Sequence, residues 1–322
     1  MRFHRLGGLR RSPIIWALTA AGFALMVLWG QSGVRVHAQG EPRVVRIQTL
    51  NVYDTLYVLR GGSNSLAMMR DDGVVLVDSK PPGWTESLLE ALETVTDQAI
   101  RTIINTHAHR DHVAGNAAIA TATDIVAHAN ARTRMATLDE FRGANAKFLP
   151  NRIVTDRMTL FSGTDQVDLY YFGKGHTDGD LVVVFPEKRI AHFGDLVAPK
   201  AVPLVDVDYG GSALALPDTL GRAVAQLTNV ARVTTGHDEA SATTSNPNAN
   251  TASRSPRTMT WTELQEYADF IRDFVTAARQ ALADGKSAEQ TAATLKLPAR
   301  YRGYDLSNAR ATIQAIAREL GR

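Results

Sequence analysis

At 322 residues the chain is too long for one small domain and fits one large α/β domain with an appendage. Its 44% hydrophobic and 21% charged residues suit a globular protein with a real core, and the absence of cysteine excludes thiolate metal ligands, disulfides and cysteine nucleophiles together. The formal charge of +2 is a local effect: residues 1–38 hold five arginines and no acid, and without them 30 basic residues face 33 acidic ones, a net −3 that offers no footprint for nucleic acid.

Arg2, Arg5, Arg10 and Arg11 form a basic start, Ile14 to Trp29 an uncharged apolar run, and Val36-His37-Ala38 a small-residue cleavage site. This predicts a signal peptide over 1–38, cleaved near Ala38/Gln39, and a periplasmic protein. The alternative is an uncleaved membrane anchor, because the run approaches the ~17 residues that span a bilayer and Trp16 and Trp29 suit its interfaces. Arg10-Arg11 hints at twin-arginine export, but Pro13 stands where a large apolar residue is expected. Every version places the body outside the cytoplasm.

Val44 to Leu50 reads as a first strand, and Tyr53 to Met69 as a hairpin turning near Gly61-Gly62. Asp71-Asp72-Gly73 is a turn that feeds Val74 to Val77, a continuous apolar run typical of a buried strand ended by Asp78. Thr85 to Thr96 is helical, with Leu88, Leu92 and Val95 on one face, and Thr102 to Ile104 is the next strand. Further strands are Asp124 to His128, Val167 to Phe172, Leu181 to Phe185, Arg189 to Phe193 and Ala231 to Thr235; Leu216, Leu220, Val224 and Leu227 mark another helix. Many strands are joined by short turns, so a layered mixed sheet accounts for the order better than a purely parallel one. Asp238 to Arg257, rich in Ser, Thr, Asn and Ala, has little to bury and reads as a mobile loop. Thr260 to Leu282, a helix opened by the capping box Ser287 to Gln290, and Leu306 to Leu320 read as a packed helical appendage.

The chemistry concentrates in His107-Ala108-His109-Arg110-Asp111-His112, directly after a buried strand. Two histidines at i and i+2 in an extended segment project to one side and can grip one metal ion. Asp111 and His112, in the turn that follows, can reach a second ion. His, Asp and Glu donors suit zinc, iron or manganese. His176, Asp195 and His237 each follow a strand, in Gly-Lys-Gly-His, Phe-Gly-Asp and Thr-Gly-His, with glycine before the ligand to bring backbone close to an ion. His128 and His192 fall outside this pattern and read as structural, while Asp180 reads equally as a turn acid or a supporting group. The 197–215 loop, with Lys200 and Tyr209, is a candidate wall for a substrate cleft.

Asp78, the His-x-His-x-Asp-His segment, Gly-x-Gly-His176, Gly-Asp195 and Gly-His237 resemble, in this order, the five motifs of the metallo-β-lactamase superfamily. The resemblance covers about residues 44–237, and the terminal helices resemble the tail of several bacterial members. It implies an α/β fold, a four-layer αβ/βα sandwich with a C-terminal helical appendage: signal peptide 1–38, catalytic domain 41–258, helical region 259–322. It also implies His107, His109 and His176 on one Zn2+, Asp111, His112 and His237 on a second, Asp195 bridging, and Asp78 orienting the ligand loop without binding metal. Asp78 also reads as a simple strand-end turn residue. Family members often carry glycine after the last histidine; here it is Asp238.

The implied activity is a zinc-dependent hydrolase that cleaves a lactone, thioester or β-lactam of a small-molecule substrate, with a hydroxide shared by the ions as nucleophile and Asp111 passing the proton. Two other readings are a mononuclear-iron sulfur dioxygenase, which would leave Asp111, His112 and His237 idle, and a non-catalytic metal-binding module, in which fully competent ligand positions would serve no reaction. About two zincs, about one iron, or neither separates the three. A bridging Asp195 also resembles the thioester and lactone hydrolases more than the true β-lactamases.

Overall fold

The computed structural model describes residues 43–50, 55–238 and 258–322. The leader and its cleavage site, Tyr53 and all but the first residue of the 238–257 segment lie outside them. The described part belongs to one compact unit spanning Arg43–Arg322.

Thirteen strands among the described residues form two sheets. The first holds β1 (Arg46–Thr49), β2 (Leu56–Arg60), β3 (Ser65–Arg70), β4 (Gly73–Val77), β5 (Ile100–Ile104), β6 (Asp124–His128) and β7 (Arg152–Val154), side by side in chain order. The second holds β8 (Arg157–Leu160), β9 (Val167–Tyr170), β10 (Val182–Phe185), β11 (Ile190–His192), β12 (Arg232–Thr234) and β13 (Met259–Thr260), also in chain order. β1 to β4 pair antiparallel, whereas β4 to β7 run parallel, as do β11 and β12. The C-terminal ends of β4, β5, β9, β11 and β12 therefore carry the chain toward one edge.

Alternation along the strands sets the layers. In β4, Val75 and Val77 face the core between the sheets, where they join Leu66, Ile104, Leu169 and Val183. Val74 and Leu76 face outward and pack under helix α1 (Thr85–Glu93) through Leu88 and Leu92. β10 does the same: Val183 and Phe185 point inward, Val182 and Val184 outward. Strands buried on both faces need continuous apolar runs, which is why these segments lack the polar alternation of a surface strand. The outcome is helices, sheet, sheet, helices: the expected four-layer sandwich.

The short helices α2 (Arg110–Val113) and α3 (Ala129–Met135) sit beside the first sheet, and α4 (Leu216–Gln226) covers the second. The tail follows as α5 (Trp261–Ala283), α6 (Ala288–Thr294) and α7 (Ala309–Glu319). Thr260–Glu263 and Ser287–Gln290 both form reciprocal capping boxes. α5 buries Leu264, Tyr267, Phe270, Ile271 and Phe274 against Val182, Ala191 and Val233 of the second sheet. At about 1.5–3 kcal/mol per large apolar side chain, this stripe anchors the tail. No helix of the described residues is long and apolar enough to cross a membrane.

The structure adds β7, β8, β13 and α3 to the elements read from the sequence. It also corrects the local geometry of the histidine segment. Thr106 to Ala108 form a bend and Arg110–Val113 a helical turn, not a continued strand. The cause is Asp78, whose carboxylate accepts from Thr106 N at 2.8 Å and Thr106 Oγ1 at 2.7 Å and pulls the loop off the strand axis.

Candidate metal centre

The strand ends bring seven side chains into one cluster. His107 Nε2 lies 3.1 Å from His109 Nδ1, which lies 2.8 Å from His176 Nε2. His112 Nε2 lies 3.3 Å from His237 Nε2 and 3.5 Å from Asp111 Oδ2, with His237 Nε2 3.1 Å from the same oxygen. Asp195 stands between the groups: Oδ2 is 3.6 Å from His176 Nε2 and 3.4 Å from His237 Nε2, and Oδ1 is 3.5 Å from His112 Nε2. Ligand atoms of His107, His109 and His176, of Asp111, His112 and His237, and of the linking set His107, His112 and Asp195 each lie within 4.8 Å of one another.

Hydrogen bonds on the far side of the rings show that these approaches suit a cation. His112 Nδ1 donates to Asp78 Oδ2 at 2.8 Å, and His176 Nδ1 to the Leu204 carbonyl at 2.9 Å. His109 Nε2 donates to Asp206 Oδ2 at 2.9 Å. Thr106 Oγ1 gives its own proton to Asp78 and accepts from His107 Nδ1 at 3.0 Å. With the outward nitrogen of each neutral ring supplying the proton for these bonds, the inward one is left to present a lone pair. Burial would lower His112, but without a cation Asp195, Asp78 and Asp111 push it well up and draw a second proton to it, as they would a metal. Four lone pairs and two carboxylates face one another at 2.8–4.0 Å, which is repulsive unless positive charge sits among them. Two ligands about 2.0–2.1 Å from a tetrahedral ion lie roughly 3.3 Å apart, the separation seen here. Asp195 Oδ1 is inaccessible and has no hydrogen-bond partner. The residues present therefore fit a divalent metal.

The electrostatics agree. Burial alone would raise Asp111, yet hydrogen bonds with His112 and His237 hold it well below the usual carboxylate range. Burial would lower His237, but Asp111 and Asp195 push it up to about 9. Protons collect where the cluster demands positive charge. His107 and His109 are instead pushed down by burial and the neighbouring imidazoles, which keeps their lone pairs open.

Asp78 is fully buried, and its backbone sits at φ 59°, a left-handed conformation that Asp and Asn tolerate best. Asp78→Asn keeps that conformation but cannot accept all three bonds from His112 Nδ1, Thr106 Oγ1 and Thr106 N, because its amide NH2 must face a donor on one side. It is expected to lower metal affinity about 10–100-fold with the fold retained, as loss of an outer partner does. Competition titration against a coloured chelator reads this out, and unchanged affinity would reduce Asp78 to a turn residue.

Asp180 is a loop brace: it is buried and accepts from Thr177 N at 2.8 Å and Thr177 Oγ1 at 2.5 Å. His192 bonds Thr234 Oγ1 at 2.9 Å, and burial pushes it down to about 4. His128 stacks on Tyr171 with ring centroids 4.0 Å apart. Asp238 pairs with Arg60 and accepts from Asn64 Nδ2 at 3.1 Å.

A cavity of about 840 Å³ opens onto the cluster at His109, Asp111, His176, Asp195 and His237. It is lined by most of the Val197–Asp208 segment and by the approach to α7 and one stripe of that helix, Ala311, Gln314, Ala315 and Arg318. Lys200 and Tyr209 are not among its lining residues; Tyr209 packs on the His109 ring instead, with centroids 4.6 Å apart. Two features escaped the sequence reading. Asp206 carries no motif, because its partner His109 is 97 residues away. The tail is also more than packing, since α7 walls the cleft.

Comparison with known proteins fits this geometry. The metallo-beta-lactamase superfamily profile matches residues 58–237. A "Metallo-beta-lactamase type 2" from Bacillus sp. (strain 170) is 34% identical over 139 residues, 42% of this chain, so the chain spans about half the length of that relative (51%). Among solved structures, a metallo-beta-lactamase from Pontibacter korlensis aligns with a TM-score of 0.56 at 18% identity, over 71% of this chain and 99% of that one. The stereoselective inverting sec-alkylsulfatase Pisa1 from Pseudomonas sp. aligns with a TM-score of 0.67 at 15% identity, over 87% and 50%. At such identities the two structures speak for the fold alone.

Proposed function

The chain belongs to the metallo-β-lactamase superfamily, and from that premise we propose that it is an exported two-zinc hydrolase that opens a lactone or thioester in preference to a β-lactam amide. The observation that carries this reading is the convergence of ring nitrogens of His107, His112, His176 and His237 on the carboxylate of Asp195, with His109 completing the group of His107 and His176. His107, His109 and His176 would hold one ion, Asp111, His112 and His237 the other, and Asp195 would touch both. When bound, the ions supply Lewis acidity and an activated water.

The protein's own groups do the rest. Asp78, Asp206, Thr106 and the Leu204 carbonyl fix the tautomer and tilt of the four rings. Asp111, partly open to the cleft, would accept at Oδ2 the proton given up by the attacking water and pass it on to the leaving group. Asp195 adds negative charge at the centre of the cluster. This lowers the electrophilicity available to a poor amide leaving group and matters less for an activated ester or thioester. The curated relatives are β-lactamases by name, so the ranking needs direct test. The substrate is a small molecule, and the leader 1–38 would direct the chain to the periplasm after cleavage near Gln39, or anchor it if uncleaved.

Steady-state kinetics on a lactone, a thioester, a penicillin and a carbapenem, run side by side on the zinc-loaded protein, test the ranking. The expected outcome is a higher kcat/KM on an ester-type substrate than on either β-lactam. A β-lactam above every ester-type substrate would reverse it.

A further inference from the structure

The segment beside the cluster is held by the cluster. His176 donates to the Leu204 carbonyl, Asp206 N donates to the His176 carbonyl at 2.8 Å, and Asp206 accepts from His109. The tail clamps the same segment from outside. Thr312 Oγ1 donates to the Pro203 carbonyl at 2.7 Å, Asn308 Nδ2 to the Val202 carbonyl at 3.2 Å, and Val202 N to the Asp305 carbonyl at 2.9 Å. The cleft between them is thus a preformed groove with both walls fixed to the metal-side residues.

Its surface is apolar and poor in cations. Leu204 is 53% exposed, unusual for a large apolar side chain in a rigid segment, and Val205 and Val207 line the same wall. Ala311 and Ala315, one turn apart on α7, line the same cleft with small apolar side chains. Beyond the His/Asp cluster, the ionised side chains lining the cleft are Asp206, Asp208, Asp238, Asp305 and Arg318. Arg318, the single Lys or Arg among the described lining residues, is paired with Asp208 at 2.9 Å. A carboxylate carried deep into this cleft would meet several acids and no uncommitted arginine or lysine.

We propose that this groove takes an uncharged alkyl chain, making the substrate an ester or lactone with a medium-length apolar acyl tail lying between Leu204 and the Ala311–Ala315 face of α7. The proposal rests on the hydrolase reading above and names the substrate class for that site. It also gives the C-terminal helix a role in specificity.

The test compares p-nitrophenyl acetate, butyrate and octanoate, the p-nitrophenyl monoester of suberic acid and the 8-aminooctanoyl ester on zinc-loaded protein. Octanamide and suberamic acid, which lack the activated ester, are titrated calorimetrically. A buried methylene favours binding by about fourfold, so kcat/KM is expected to rise at least about tenfold from acetate to octanoate. The suberate and amino esters should fall at least about tenfold below octanoate, and octanamide should bind more tightly than suberamic acid. Ala311→Phe, at an exposed helix position, should cut the gain from acetate to octanoate to about threefold or less, and Leu204→Ser should act in the same direction from the other wall. A flat chain-length profile, a charged tail preferred over octanoate, or a gain unchanged in both variants would overturn the groove assignment while leaving the hydrolase reading intact. Octanamide binding without turnover of any ester would sink the hydrolase reading and keep the groove; absence of both would sink the two together.

Discussion

Asp195→Ala is expected to strip both metal positions at once and to lower hydrolytic activity by more than about a hundredfold, beyond the cost of losing an outer partner. The reason is its placement. One carboxylate lies within 3.4–3.6 Å of His176, His237 and His112, which belong to different halves of the cluster. Its removal leaves each half short of a ligand and lowers the negative charge that draws cations in. His192→Ala is the matched control three residues upstream. That ring is fully buried and bonds Thr234, so its loss opens a cavity and costs stability, but it belongs to none of the groups whose ligand atoms come together. Metal content measured on both purified variants decides the matter: near-complete loss in the first and near-intact content in the second are expected. Equal loss in both would mean that the strand end at Asp195 supplies no ligand.

Gly236→Ala should be nearly as damaging although it removes no ligand. A Cβ at Gly236 would lie 2.0 Å from Asp195 Oδ1 and 2.9 Å from His112 Cε1. The backbone cannot retreat, because Gly236 N donates to the Gly194 carbonyl at 2.8 Å and the Gly236 carbonyl accepts from Asn64 N at 2.6 Å. Asp195 or His112 must therefore move by about an ångström, a misplacement that costs on the order of a hundredfold in a preorganised site. Metal affinity by chelator competition should fall about tenfold or more while the circular dichroism spectrum is retained. Affinity equal to that of the parent would show that Asp195 and His112 are not fixed by the metals.

The sheets were legible where burial on both faces forced continuous apolar runs, as at Val74 to Val77 and Val182 to Phe185. Strands of three or four residues, such as Arg152–Val154 and Arg157–Leu160, carry arginine and threonine and are too short for any period to stand out. The grouping of His107 with His109 was expected from strand pleating, yet it arises from a bend tied down by Asp78. Asp206 and the second use of α7 were invisible for a common reason. Each depends on a contact across 97 or more residues, and neither leaves a spacing in the chain. Local chemistry announces ligands, whereas the groups that tilt them and the walls that select substrate are set by tertiary packing.

The most direct test is elemental analysis of the full chain after zinc loading and desalting, with activity measured on the same sample before and after a mild chelator. The account predicts close to two zinc ions per chain, loss of activity with the metal, and recovery on adding zinc or manganese. Full activity in protein shown to be free of metal would contradict it.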